Sequence, residues 1–391
     1  MFLLAIIALA GWCYLTFLRR DFWRGEPRLP AGARPKPAPD VAIVIPARDE
    51  AGTIGDVTRA HLACDYPGAV SVIVVDDASS DGTGEIARAA SEATAGRGRG
   101  AIRSLEVIEA PPLNTGWTGK LNAVAAGIRA SRPADPAYLL LCDADILLAP
   151  TTLSRLVASA EKDGLALTSL MARLDARGAW ASLLIPAFIY FFQKLYPFPA
   201  IADPASGVAG AAGGCMLVRN ADLAAAGGIE AIRGKLIDDC ALAALLKKGP
   251  GGPRRIWLGH AGDSALSLRD NRSPGSIWSM VARTAFAQLE HSWFLLAGCV
   301  VGMAILYLMP PIAALAGLVS GRAALCIAGA IGWAMMAWTF APTVRSYGKP
   351  ALLAAALPVA GALYVAMTVT SAINHARGEG GRWKGRTYAR G

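Results

Sequence analysis

Long apolar runs occupy both ends of the chain, and shorter apolar runs alternate with polar segments between them. Residues 1–18 carry no charge and are followed by Arg19 and Arg20. Further apolar stretches near the other end lie at about 293–319, 323–342 and 351–374. Each of these reaches the roughly 20 residues that a helix needs to cross a bilayer. The pattern predicts a transmembrane anchor over 1–20 and about three transmembrane helices over 291–375.

Basic residues next to these runs indicate which side of a membrane the chain faces. A Pro/Gly-rich linker at 21–40 is rich in arginine, which favours the cytoplasmic side and an anionic leaflet. We therefore expect a multi-pass protein of the inner (cytoplasmic) membrane whose central part faces the cytoplasm. The basic tail at 376–391 conflicts with three spans, which would place it outside. Either one stretch is re-entrant, or 293–319 is a hairpin broken at Pro310-Pro311.

The central part, 41–290, has the pattern of a cytosolic domain. Apolar runs of strand length lie at 41–47, 70–77, 104–110 and 137–145, and helical segments lie at 50–63, 82–91, 119–130 and 150–160. This alternation predicts an α/β fold with a mainly parallel sheet, in which ligands bind at the carboxyl ends of the strands. The aromatic-rich stretch 179–198 contains two prolines and a lysine, and we interpret it as an interfacial segment at the bilayer surface, with a buried core helix as the alternative.

Composition narrows the class of protein further. The chain has 391 residues, is 54% hydrophobic and carries a net charge of +9. It has no basic stripe interleaved with aromatic residues, so nucleic acid is not an expected partner. Its seven cysteines form no CxxC pair, which indicates reduced thiols in a cytosolic part rather than a disulfide framework.

Acidic residues follow three of the predicted strands. Asp49 and Glu50 follow the first strand, Asp76 and Asp77 end the second, and Asp143 and Asp145 end the fourth in a DxD motif. Side chains at positions i and i+2 of a strand share a face, so we expect Asp143 and Asp145 to point the same way. Two such carboxylates repel each other unless a cation lies between them. A phosphatase also carries DxD after an apolar strand, but Leu147 stands where that signature has Thr or Val.

Four motifs carry a family resemblance. IPARDE (45–50), VVDDASSDGT (74–83), GKLNA (119–123) and CDAD (142–145) occur in this order. The chain thereby resembles glycosyltransferase family 2, the enzymes of the GT-A fold that use nucleotide-diphospho-sugars. The terminal spans and the VARTAF segment (281–286) look most like the hopanoid-biosynthesis-associated branch, and the layout is similar to that of ceramide glucosyltransferases.

The resemblance implies a binding site for a nucleotide sugar, with a UDP-sugar as the expected donor. The residues that it assigns to this site are Pro46, Arg48, Glu50, Asp76, Asp77, Lys120, Asp143 and Arg283. It also implies that Asp145, together with Asp143, binds Mg²⁺ or Mn²⁺. Asp49 stands where the family usually has Asn. Lys120 lies at a predicted helix start, where a cation and free N–H groups suit a diphosphate.

The segment KLIDDCALAALLKKG (235–249) resembles the family's ED motif, with Asp238 where Glu is commoner. By this resemblance Asp239 is the general base that takes the proton of the acceptor hydroxyl, and attack from behind the anomeric carbon inverts its configuration. Around Arg283, the Gln and Trp that processive synthases have in Q-x-x-R-W are missing, which argues against a polymerase.

The expected function is transfer of a sugar to a hydroxyl of a membrane lipid, by resemblance a hopanoid-type lipid. Two alternatives stay open at the level of the sequence. One is transfer to a polyprenyl phosphate, and the other is a non-catalytic scaffold that binds sugar nucleotides.

Overall fold

The described chain forms two units, each assembled from separate stretches of sequence. One contains the strands, and the other contains the long apolar helices. The computed structural model describes residues 1–24, 27–92 and 102–381. The described parts of 26–174 and 200–269 form an α/β unit. A helical unit comprises the described parts of 1–25, 175–199 and 270–390.

The strands are β1 (Val41–Ala47), β2 (Val70–Asp76), β3 (Arg103–Glu109), β4 (Tyr138–Cys142), β5 (Ile146–Leu148), β6 (Leu165–Met171), β7 (Cys215–Arg219), β8 (Arg255–His260) and β9 (Ala265–Ser267). The α-helices are α1 (Phe2–Phe17), α2 (Ile54–Leu62), α3 (Thr83–Glu92), α4 (Gly119–Ser131), α5 (Thr152–Asp163), α6 (Ala179–Leu195), α7 (Phe198–Ala202), α8 (Asn220–Ala225), α9 (Asp238–Lys248), α10 (Pro274–Ala282), α11 (Trp293–Met303), α12 (Met309–Val319), α13 (Ala323–Ser346) and α14 (Leu357–Ala376).

The main sheet of the α/β unit has the strand order β3-β2-β1-β4-β7-β6-β8. Strand β7 is antiparallel to both neighbours, and the other pairs are parallel. Every residue of β1, β4 and β6 is buried, as expected for a sheet covered on both faces. Strands β5 and β9 form a separate antiparallel pair. The predicted α/β fold with a mainly parallel sheet is confirmed.

All the strands and helices predicted between 41 and 160 are present, with shifts of a few residues at their ends. The later strands β6, β8 and β9 were not expected from the sequence. Strand β6 (LALTSLM) is buried on both faces, so it lacks the polar alternation that marks a half-buried strand.

Close packing of α4 on the sheet fixes the position of the residues at its N-terminal end. A Cβ atom at Gly127 would lie 2.4 Å from Cγ1 of Val44, a distance that real side chains do not adopt. Glycine therefore lets α4 approach β1 more closely than any other residue would. Thr118 caps the helix by accepting a hydrogen bond from the backbone N–H of Leu121 at 3.3 Å.

Three helical stretches of the helical unit have the length and composition of membrane spans, namely Trp293–Val319, Ala323–Ser346 and Ala351–Ala376. A π-helical turn, Ala304–Leu308, joins α11 to α12, and the helix continues through Pro310-Pro311. The hairpin considered for 293–319 is therefore wrong. The π-helical turn directly before these prolines interrupts the regular hydrogen-bond ladder, and this is where the missing N–H of a proline costs least.

The remaining apolar helices, α1 and α6, are shorter than these stretches. Helix α6 packs on α13 and α14 through polar contacts of two tyrosines. Tyr190 Oη lies 2.7 Å from Thr339 Oγ1, and Tyr364 Oη donates to the carbonyl of Leu184 at 2.9 Å. The stretch predicted to be an interfacial segment is thus a helix that packs with the candidate spans.

Part of the basic linker lies against the α/β unit. Arg155 of α5 donates to the carbonyls of Pro30, at 2.9 Å, and Leu29. Leu29 itself is buried in the core of this unit. These contacts attach the segment after residue 26 to the sheet domain. Most of the basic tail, from residue 382 onward, lies outside the described residues.

Candidate active site

The loops after β1 and β2 meet at the carboxyl end of the sheet. Ala47 and Asp76 are paired in register at the ends of these strands. The next residue, Asp77, donates its backbone N–H to the carbonyl of Ala47 at 2.8 Å. Parallel pairing therefore brings the motifs IPARDE and VVDDASSDGT together at the carboxyl end of the sheet. Ligands of such sheets bind at this end.

Arg48 and Asp77 form a buried ion pair between these two loops. Nη1 of Arg48 lies 3.7 Å from Oδ2 of Asp77, and their side chains are 17% and 3% exposed. Arg48 also donates to the backbone carbonyl of Asp77. The pair holds the two loops together where the resemblance places the nucleotide.

Asp49 has a left-handed backbone conformation, with φ of 50°, which Asn and Asp tolerate better than most residues. Its Oδ1 accepts from the backbone N–H of Ser80 at 2.8 Å. This contact requires only an acceptor oxygen. Asp and Asn both have one, so Asp49 can make the contact where the family usually has Asn. Asp76 in turn accepts from the N–H of Ser79 at 2.9 Å, and Glu50 donates its N–H to Thr83 Oγ1 at 2.8 Å.

Asp143 and Asp145 lie in a turn between β4 and β5. Strand β4 ends at Cys142, and the N–H of Ile146 donates to the carbonyl of Asp143 at 3.1 Å. The expectation that the two aspartates share one face of a strand is therefore wrong, because the period of two ends where the strand ends. The two carboxylates instead have different neighbours.

Lys120 is the cation beside Asp143. Its Nζ lies 2.9 Å from Oδ1 of Asp143 and 3.1 Å from Oδ2 of Asp238. Burial by itself would lower the pKa of Lys120, but the two carboxylates more than offset this and raise it. Burial also raises the pKa of Asp143, an effect that Lys120 opposes and Asp145 adds to. One ammonium thus joins α4, the β4–β5 turn and α9.

Asp145 faces residues that the sequence did not single out. Its Oδ2 lies 3.2 Å from Ser267 Oγ and 4.0 Å from Nε of Arg269. The backbone carbonyl of Asp145 accepts from Leu268 at 2.7 Å. Pairing of β5 with β9 brings this segment to the site, and a strand of three residues is too short for any periodic signal to reveal it.

Asp238 and Asp239 begin α9, where the helix dipole favours negative charge. Oδ2 of Asp239 accepts from the N–H of Gly213 at 2.9 Å, and Oδ1 accepts from the N–H of Cys240 at 2.7 Å. Burial, with the neighbouring charge of Asp238, raises the pKa of Asp239 to about 6. A carboxylate with such a pKa accepts a proton readily near neutral pH.

Lys247 anchors the segment that leads into the glycine-rich loop AGAAGG (209–214), which carries Gly213. Its buried Nζ donates to the carbonyls of Ala200, Ile201 and Val208 at 3.1, 2.7 and 2.7 Å. Lys247 lies in the last turn of α9, and Asp239 lies in the first turn. The contacts of Lys247 therefore connect the helix that carries Asp239 to the loop whose Gly213 N–H donates to Asp239. Paired lysines before a glycine, as in KKG (247–249), are typical of a solvent-exposed helix end, so this role of Lys247 could not be predicted from the sequence.

The acidic residues of the site supply oxygen atoms only, which suits Mg²⁺ or Mn²⁺. Within the described residues, no three His, Cys, Asp or Glu side chains gather closely enough to hold a metal ion. Asp143 and Asp145 would therefore supply at most two carboxylates, with phosphates and water completing the shell, as is usual for Mg²⁺. The residues present fit a metal that binds together with a nucleotide.

A cavity borders Lys120, Asp143 and Asp238 and is otherwise lined mainly by apolar side chains, including Leu121, Val124, Met216 and Leu242. Pro46 also lines it. Arg283 is placed differently from the other predicted site residues. It follows the last residue of α10 in the helical unit.

Fold and site together define an α/β glycosyltransferase. The family model of glycosyltransferase-like family 2 matches residues 37–252, more than half of the chain, and the chain belongs to this family. It is accordingly an enzyme of the glycosyltransferase class with a GT-A fold. No curated protein is similar enough to the chain to count as a match.

Solved structures are similar to the chain at low sequence identity, and only the first of the two described below has a TM-score above 0.5. The mannosyltransferase PcManGT from Pyrobaculum calidifontis, in complex with GDP-Man and Mn²⁺, is 19% identical with a TM-score of 0.54, over 96% of this chain and 98% of that one. Glucosyl-3-phosphoglycerate synthase from Mycobacterium tuberculosis, in complex with Mn²⁺ and UDP-glucose, is 17% identical with a TM-score of 0.39, over 65% of this chain and 79% of that one.

Proposed function

We propose that the protein is an inverting, metal-dependent glycosyltransferase that moves a sugar from a nucleotide-sugar donor to a hydroxyl of a membrane lipid. The observation that carries this proposal is the cluster of Lys120, Asp143, Asp238 and Asp239 at the carboxyl end of the sheet. In a member of this family, that cluster combines groups suited to a diphosphate, a divalent cation and a hydroxyl proton.

The donor is held by the two loops that Arg48 and Asp77 join, with Pro46, Glu50 and Asp76 beside them. Lys120 faces the diphosphate as a cation at a helix N-terminus. When bound, Mg²⁺ or Mn²⁺ neutralises charge on the leaving diphosphate, and Asp145 with Asp143 would hold it. PcManGT, whose structure contains Mn²⁺, supports a divalent cation.

Asp239 acts as the general base. Its two hydrogen bonds to backbone N–H groups fix the carboxylate, and its raised pKa makes it a better proton acceptor than an ordinary aspartate. The acceptor oxygen gives its proton to Asp239 as it attacks the anomeric carbon from the side opposite the diphosphate, so the configuration inverts. Asp238 holds Lys120 in place and raises the pKa of Asp239.

The acceptor is a membrane lipid, and the catalytic domain faces the cytoplasm from the inner membrane. The three apolar helical stretches support membrane association, and the motif resemblance favours a hopanoid-type lipid. The motif resemblance assigns Arg283 to the diphosphate or to a lipid headgroup. The resemblance favours a UDP-sugar as donor, whereas PcManGT was solved with GDP-Man, so both nucleotides belong in a test.

Membranes containing the protein, incubated with a panel of radiolabelled UDP- and GDP-sugars and then extracted with organic solvent, test this function. We expect one donor to label a lipid in a reaction that needs a divalent cation, and Asp239→Asn to abolish the label. Acid-labile label on a phosphate lipid would indicate a polyprenyl phosphate acceptor instead. Donor binding without transfer to any lipid would indicate a scaffold.

A further inference from the structure

The ammonium of Lys120 lies between the carboxylate of Asp143, a proposed metal ligand, and that of Asp238. Its ammonium contacts Asp143 at 2.9 Å and Asp238 at 3.1 Å, and Asp239 is close enough to act on its charge. The side chains of Lys120, Asp143 and Asp238 are only 22%, 34% and 16% exposed. Water therefore screens these charges weakly, and each carboxylate depends on a nearby cation.

A metal ion bound to Asp143 would have to compete with this lysine. Oδ1 of Asp143 already contacts the ammonium, and a divalent ion close to it would be repelled by the positive charge of Lys120. Asp145 is not in the same position, since its neighbours are Ser267 and Arg269. Of the two proposed metal ligands, Asp143 is thus the one that Lys120 contacts.

A diphosphate offers the lysine another partner. Lys120 is the second residue of α4, so a phosphate at this helix end would meet the ammonium and the first N–H groups of the helix together. A lysine that turned toward such a phosphate would leave Asp143 without its counterion. That carboxylate would then bind a divalent cation more strongly.

We infer that Lys120 competes with the divalent cation for Asp143 in the nucleotide-free protein, and that a bound diphosphate draws it away, so that nucleotide and metal bind cooperatively. This inference rests on the proposed function, since it assumes that donor and metal share this site. By linkage, the metal raises nucleotide affinity by the factor by which nucleotide raises metal affinity. Lys120 thereby makes the site selective for the metal–nucleotide pair over either ligand alone.

The test measures Mn²⁺ binding to the full chain in nanodiscs, by electron paramagnetic resonance of free Mn²⁺, with and without UDP or GDP. We expect Lys120→Met to bind Mn²⁺ without nucleotide about tenfold more tightly than the wild type, within the usual range of coupling between ligands. We also expect the ratio of Mn²⁺ affinities with and without nucleotide to fall. Lys162→Met, which removes an exposed lysine on α5, controls for the change in net charge.

Two further variants separate the effect of the positive charge of Lys120 from the effect of its side-chain shape. Lys120→Arg keeps the charge, so it is expected to bind Mn²⁺ no more tightly than the wild type. Lys120→Gln removes the charge but keeps an N–H donor for Asp143, and it is expected to behave like Lys120→Met. Mn²⁺ should also raise the melting temperature of Lys120→Gln more than that of the wild type, which provides a second readout if Lys120→Met folds poorly.

Unchanged Mn²⁺ affinity in the uncharged variants, or an equal gain in Lys120→Arg, would overturn the competition while leaving the proposed function intact. A wild type that binds neither Mn²⁺ nor nucleotide would instead overturn the proposed function, and the inference with it. Whether the wild type binds Mn²⁺ and nucleotide therefore shows which of the two, the proposed function or the competition, has failed.

Discussion

The carboxylate of Asp239 accepts a hydrogen bond from the backbone N–H of Gly213 at 2.9 Å. A Cβ atom at Gly213 would lie 3.3 Å from that carboxylate oxygen and 3.4 Å from Nζ of Lys120. The glycine-rich loop, the start of α9 and the start of α4 therefore meet at one point. A side chain at residue 213 would crowd both charged groups, so glycine eases the close approach of the loop to them.

Asp239→Asn is expected to lower kcat by at least about a hundredfold, the usual contribution of a general base, with little change in donor affinity. Asn retains an oxygen that accepts from Gly213, so the loop stays in place. Transfer rates and isothermal titration with nucleotide and Mn²⁺ measure the two effects separately.

A matched control is Asp263→Asn, which removes an exposed carboxylate that pairs with Arg173 at 2.9 Å. It should leave kcat within about twofold of the wild type, because surface ion pairs contribute little. Undiminished turnover in Asp239→Asn would remove the base assignment. Equal loss in both variants would point to a general effect of charge.

The raised pKa of Asp239 predicts how activity depends on pH. The base must be ionised, so kcat/KM should be constant well above about pH 6 and fall below it, by about tenfold per pH unit. Asp238 and Lys120 face this carboxylate and act in opposite directions, the first raising its pKa and the second lowering it. Rates measured from acid to neutral pH at saturating Mn²⁺ test the prediction, and a profile without this limb would contradict it.

The raised pKa of Asp239 also affects how the stability of the folded protein depends on pH. The pKa of Asp239 in the folded protein, about 6, is above the value of about 3.9 for an unfolded chain. Its contribution to stability is thus fully present below the lower value and is lost as pH rises through the higher one. Above that pH, Asp239→Asn should melt no lower than the wild type, which excludes unfolding as the cause of lost activity.

The sequence was sufficient for the parts of the fold that follow local rules. Strands β1 and β2 and helices α2 to α5 follow apolar runs and turn residues, and the motif order led to the correct family. Parallel pairing then brought Arg48 and Asp77 together without further information. These features follow from local patterns and from the pairing of β1 with β2, which are consecutive strands in the chain.

What the sequence did not predict depends on contacts between distant segments. The lysine that meets Asp143 lies 23 positions earlier in the chain, and nothing in GKLNA indicates that it faces two aspartates. Ser267 and Arg269 reach Asp145 only because β9 pairs with β5. The prediction that Asp143 and Asp145 share one face of a strand was wrong because the end of a strand cannot be located to one residue from an apolar run.

Asp145→Asn is expected to weaken Mn²⁺ binding in the presence of nucleotide by at least about tenfold, since it replaces an anionic ligand by a neutral one. Chelation of the wild type should stop transfer, and added Mn²⁺ or Mg²⁺ should restore it. Asp163→Asn, at the end of α5, serves as the control. Transfer that continues at the full rate in excess chelator would contradict a metal-dependent reaction.

The helical unit should hold the chain in a membrane as an integral protein. Trp293–Val319, Ala323–Ser346 and Ala351–Ala376 have 27, 24 and 26 residues and are long and apolar enough to cross a bilayer. We expect the full chain to stay in the membrane pellet after washing with alkaline carbonate and to enter solution only with detergent. Release by carbonate alone would indicate that these helices lie on the surface of the bilayer.

Arg48→Met is expected to destabilise the α/β unit by about 3 kcal/mol, because it removes a cation from the buried carboxylate of Asp77. The control is Arg59→Met in the exposed pair with Asp56, whose side chains are 46% and 61% exposed, where a change below about 1 kcal/mol is expected. Denaturant titration in detergent gives both values. Nucleotide affinity should fall in Arg48→Met and not in Arg59→Met, because the Arg48–Asp77 pair lies between the loops after β1 and β2 and the Arg59–Asp56 pair does not. Equal stability of the two variants would show that the Arg48–Asp77 pair contributes no more than a surface ion pair.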